Sequence, residues 1–117
     1  MAGKTMATFH ASSGDIIDVR PLGPLLCTTK STAVVRDKHL EVMRFVFPAG
    51  DGLPNHFVYG PVLIQCVEGV VEVMAHGTSK RLRPGDLMYL AGEVHHDLLA
   101  VEDTSVLVCM VRQESAR

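Results

Sequence analysis

PAGDGLPNHFVYGPVLIQCVEG (residues 48–69) and RPGDLMYLAGEVHHDLL (residues 83–99) decide the fold of this chain. Each stretch sets glycines against an apolar run and ends or begins near a histidine, His56 in the first and His95–His96 in the second. Outward from them the punctuation is that of an all-β protein. Gly and Pro cluster at 21–24, 48–54, 60–61 and 84–85, and short runs rich in Val, Ile, Leu and Met lie between. The spacing predicts strands over 16–20, 25–29, 33–36, 40–47, 55–59, 62–68, 70–75, 79–82, 87–90, 95–101 and 105–111. No window holds a 3.6-residue apolar stripe long enough for a helix. Many short strands at close spacing predict a sandwich or barrel. His76–Gly77, between VVEVMA and SKRL, reads as a tight hairpin tip, because both residue types accept positive φ.

Composition sets the outer bounds. A chain of 117 residues, 47% hydrophobic and 21% charged, is one soluble domain large enough to bury a core without disulfides. Residues 1–14 are small and polar and read as a mobile arm, leaving 15–117 as the domain. Net charge is −2 and no basic run exceeds Lys80–Arg81, which argues against nucleic acid or an anionic membrane as partner. Cys27, Cys66 and Cys109 are an odd count at wide spacing, and the last two lie in apolar runs, so reduced thiols are expected. The N-terminus has no apolar signal core and no 18-residue apolar span occurs, so a cytoplasmic protein is expected.

The two stretches resemble the two conserved blocks of the cupin family, small β-barrels that usually carry a metal among histidines. The first block of that family runs Gly, five residues, His-x-His, a short loop, Glu, and a Gly seven residues further on. Gly50 and His56 match its opening and Gly69 its end. The second runs Gly, five residues, Pro, x, Gly, two residues, His. Gly85 and His96 match its ends, Ala91 falls at the Pro and Glu93 at the inner Gly. The resemblance covers about residues 33 to 111 and implies an antiparallel jelly-roll barrel of the double-stranded β-helix type. More narrowly, GPVLIQCVEG followed by AHG and GDLMYL looks like small single-domain bacterial cupins of undefined activity.

What the resemblance implies for a metal is partial. It makes His56 and His96 the candidate ligands for a divalent transition metal (Zn, Fe, Mn or Ni), but the second His position is Val58 and the Glu position is Val62. Two neutral imidazoles without a carboxylate form a poor divalent site, so any metal is expected to be weakly held. For His56, a ligand role and a hydrogen-bonding role in the pocket both stay open. Strand parity gives Met43, Phe45 and Phe47 one face of 40–47. With Val58, Val62 and Ile64 they predict an apolar lumen around the two histidines. Tyr59 flanks this pocket and is the phenol with a claim as general acid, whereas Tyr89 holds an ordinary strand position. His95 should point away from His96. Gln65 should point away from the lumen, toward a structural or subunit hydrogen bond. His10 and His39 read as exposed.

Three functions follow. A purely structural dimer whose barrel is filled is one, and sequence leaves the two others open. One is an enzyme acting on a small organic acid, sugar or aromatic compound, with His56 and His96 as metal ligands or proton carriers and Tyr59 beside them. The other is a binding or sensing module for a small molecule, without a tightly bound metal. A homodimer is expected as well. The stretches 62–67 and 105–111 are apolar at almost every position and must be covered on both faces, with 16–20 as the segment expected to cross between subunits.

Overall fold

Alternation is plainest in Val62–Glu68, where Val62, Ile64 and Cys66 are buried and Leu63 and Gln65 exposed. That period of two puts one face of a strand in the core and the other outside. The computed structural model describes residues 10–113 and builds from such segments a two-sheet antiparallel barrel. In chain order the strands are β1 (Thr32–Arg36), β2 (Leu40–Phe47), β3 (Gly52–His56), β4 (Val62–Glu68), β5 (Val71–Ala75), β6 (Thr78–Leu82), β7 (Leu87–Leu90), β8 (His96–Ala100) and β9 (Thr104–Val111). One sheet has the order β1-β2-β9-β4-β7 and the other β3-β8-β5-β6. Their inner faces meet in a core of Val62, Ile64, Cys66, Val71, Val73, Leu98, Val106 and Val108. Met43 and Phe45 pack against it, and Phe45 stacks on the buried Phe47 with centroids 5.5 Å apart. His76 has φ +54 at the β5–β6 turn, as its sequence context predicts.

Three expected strands come out differently. Of residues 25–29, 25–28 belong to a 3-10 helix, Gly23–Thr28, and Thr29 caps its end. Gly23 turns the chain at φ +58, Pro24 follows, and the hydroxyls of Thr28 and Thr29 both donate to the Leu25 carbonyl. Such local side-chain bonds compete with a sheet ladder. Residues 16–20 join neither sheet. The strand expected at 55–59 is displaced to Gly52–His56, because Asn55 takes φ +50 and the register with β8 slips between Leu53 and His56. Of the N-terminal arm, residues 1–9 lie outside the described residues. The Ala11 amide donates to the Val34 carbonyl at 3.0 Å, which ties that end to β1.

The outer face of the five-stranded sheet shows what covers it. The β4–β9 register shifts between Cys66 and Glu68, a bulge that brings Glu68 beside Ser105. The Glu68 carboxylate accepts from the Leu22 amide (2.7 Å), the Gly23 amide (3.1 Å) and the Ser105 hydroxyl (2.7 Å). Arg44, 8% exposed, donates from Nη2 to the carbonyls of Val19 and Arg20. Residues 19–23 are thus strapped over the sheet by two charged side chains that grip only main-chain atoms. Beyond the strap, Leu63, Leu87 and Tyr89 stay 40%, 59% and 66% exposed on the same face.

Candidate functional site

The two family histidines meet. His56 ends β3, His96 begins β8, and the antiparallel ladder sets them directly opposite. His56 Nδ1 lies 3.2 Å from His96 Nε2, with the rings edge-to-face and centroids 5.0 Å apart. His96 is buried and His56 half-buried. His95 is exposed on the other side of the strand, tilted against Phe57 at 4.6 Å, with Nδ1 3.1 Å from Asn55 Oδ1. The inward residue is therefore His96, as strand parity and the motif spacing require.

The hydrogen bonds fix the tautomers. His96 Nδ1 lies 3.0 Å from the Val94 carbonyl, which can only accept, so Nδ1 carries a proton. In a neutral His96, Nε2 is then the lone pair, and the bond from His56 must be donated by Nδ1–H. His56 is left with a free lone pair on Nε2. Both nitrogens of His96 are occupied, and the pair presents one acceptor. Burial, and secondarily the neighbouring His96, hold the His56 pKa below its ordinary value, so that acceptor stays unprotonated at neutral pH.

The positions where a metal shell would be completed are apolar. Val62 is fully buried in the core and Val58 packs against it. No group of three or more His, Cys, Asp or Glu that could hold a metal ion occurs among the described residues. His96 Nε2 would have to give up its bond to His56 to become a ligand. The donor set does not fit a tightly held resident metal. The lumen residues expected from sequence (Met43, Phe45, Phe47, Val58, Val62 and Ile64) are all in or against the core cluster, so they fill the barrel.

The loops at this end are drawn tight. The Glu93 amide donates to the Val58 carbonyl at 2.9 Å. A Cβ on Gly92 would stand 2.1 Å from the Tyr59 carbonyl oxygen, so only glycine allows this approach. Glu93, in the place where the family pattern has glycine, takes φ +64. Tyr59 is 43% exposed and packs edge-on against Phe57, with centroids 5.3 Å apart. The contact that places its ring is therefore with the rim and not with the histidine pair. Burial raises the thiol pKa of both Cys66 and Cys109, which removes them as nucleophiles at neutral pH. Two features escaped sequence reasoning. The Val94 carbonyl carries no side-chain signal. The strap clamp had one, a lone arginine in the outward set Val42, Arg44 and Val46.

No family model and no curated protein matches the chain. Solved structures do match. A cupin superfamily protein from Desulfitobacterium hafniense DCB-2 superposes with TM-score 0.73 at 17% identity, over 88% of this chain and 100% of that one. An RmlC-like cupin family protein with a double-stranded β-helix fold from Methanocaldococcus jannaschii gives 0.69 at 17% identity, covering 85% and 94%. KdgF from Halomonas sp. gives 0.64 at 24% identity, covering 72% and 80%. The protein has the cupin fold, an all-β double-stranded β-helix. No helix among the described residues is long and apolar enough to cross a membrane.

Proposed function

We propose that this small cupin binds a small protic molecule at the His56–His96 pair, with His56 Nε2 as the accepting atom and without a tightly held metal. The observation that carries this reading is the pair of contacts from His56 Nδ1 to His96 Nε2 (3.2 Å) and from His96 Nδ1 to the Val94 carbonyl (3.0 Å). They use the two imidazoles as one oriented acceptor and spend the nitrogen that a metal would need. Binding or sensing is favoured over metal-dependent turnover on an organic acid, sugar or aromatic compound, because Val58 and Val62 supply no ligands. We propose separately that the protein is a homodimer, supported by the exposed patch of Leu63, Leu87 and Tyr89.

The test pairs elemental analysis with imidazole nitrogen NMR on the purified protein. Less than a tenth of a metal equivalent after dialysis, with His56 protonated at Nδ1 alone, is the expected result. A stoichiometric transition metal that survives chelation would overturn the proposal and restore the metal-enzyme alternative.

A further inference from the structure

The barrel is open along one side. β7 ends one sheet and β6 ends the other, and no ladder joins them. A cavity of about 140 Å3 occupies this seam. Its apolar wall is Val73, Ala75, Met88 and Leu90, core residues or residues packed against the core. His76, Thr78 and Lys80 line it as well. Lys80 is two residues from the buried Leu82 and pairs with the buried Val73, so strand parity puts it on the cavity side of β6, where it stays exposed at the mouth of the seam. No carboxylate lines the cavity, and Lys80 has no ion pair among the described residues. Arg81 and Glu72, the neighbouring pair of charges, belong to the outer face. One ladder row runs across the sheet from the histidine pair to this seam, through His56, His96, Ala75 and Thr78.

We propose that the seam between β6 and β7 is a binding site for a small organic carboxylate, with Lys80 as counter-charge and the Val73–Ala75–Met88–Leu90 wall taking its hydrocarbon body. A single ammonium on a flexible stem is a compact point charge, suited to a monoanion. A phosphate is better served by guanidinium forks or several main-chain amides, and the seam has no arginine. The volume equals that of roughly five waters at ~30 Å3 each, which limits the ligand to the size of benzoate or a short fatty acid. The site uses no residue of the His56–His96 pair, so either proposal can fail alone. Inward-pointing charges on edge strands also serve to block edge-to-edge pairing, and the experiment separates that role.

The full-length protein is titrated with sodium benzoate, and with benzamide as the neutral isostere, while backbone amide signals are followed by NMR. Saturable shifts centred on Thr78, Lys80 and Met88 are expected with benzoate, and at least tenfold weaker binding with benzamide. Lys80→Met should weaken benzoate binding at least tenfold, Lys80→Arg should largely retain it, and His56→Gln should leave it unchanged. Equal affinity for benzamide, shifts centred elsewhere, or none at all would each overturn the site. So would a Lys80→Met protein that binds benzoate normally and self-associates, which would make the lysine an edge guard only.

Discussion

Replacing Glu68 by alanine tests the strap directly. The carboxylate accepts three hydrogen bonds, from the Leu22 and Gly23 amides and from the Ser105 hydroxyl. Gly23 is exposed, and its amide returns to water at little cost. Ser105 is fully buried, and its hydroxyl would lose the partner it donates to. A buried polar group left unmet costs ~1–3 kcal/mol, and a bond to a charged acceptor contributes ~1.5–3 kcal/mol. With the half-buried Leu22 amide counted once, the loss is about 3 kcal/mol, a large share of the 5–15 kcal/mol typical of domains. Glu68→Gln keeps an acceptor and should lose about 1 kcal/mol. Urea unfolding gives the stability difference, and hydrogen exchange at Leu22 reports the strap itself. The sign with pH is also fixed. Burial raises the Glu68 pKa, but the Leu22 amide, the Ser105 hydroxyl, the Gly23 amide and Arg44 outweigh it and leave the carboxyl below the usual glutamate value. Its contribution is therefore complete above that usual value and lost as pH falls through the lower, folded one. An alanine variant within 1 kcal/mol of the parent, with Leu22 exchange unchanged, would refute the clamp.

Three other outcomes are expected. His56 should titrate below its ordinary value of about 6.5, so its contribution to stability is present above that pH and declines as the pH falls through the folded value; imidazole NMR on His96→Gln should show His56 moving part of the way back up, since burial remains. Glu93→Gly relieves a left-handed φ of +64 and should stabilise the fold by about 1 kcal/mol, read as a rise in Tm of about 4–8 °C, and a fall in Tm would contradict it. Light scattering should give twice the 12.7 kDa chain mass at micromolar concentration, reduced to the monomer by Tyr89→Glu with Leu63→Lys; a monomeric parent would reject the homodimer.

Much of the barrel was legible because alternation and turn chemistry agree along it. β2, β4 and β7 begin and end where the apolar runs do, and His76 sits at the turn its neighbours demand. The segments that departed are ones where short polar or left-handed residues override an apolar run. Thr28 and Thr29 close a 3-10 turn on Leu25, and Asn55, at φ +50, shifts the β3 register so that the strand stops at His56. Motif spacing brought His56 and His96 to the same place although they are 40 residues apart in sequence. It could not say that they would bond to each other, since that depends on ring orientation and on a carbonyl at Val94 that no side-chain pattern encodes.

Arg44 and Glu68 grip the carbonyls of residues 19 and 20 and the amides of residues 22 and 23, atoms that nearly every amino acid supplies alike. The clamp is therefore indifferent to the side chains at 19, 20 and 22, which are free to drift in sequence while the strap stays seated; Gly23, at φ +58, is held by its backbone. It is equally indifferent to ownership. A copy of the same segment from a neighbouring molecule would satisfy it atom for atom.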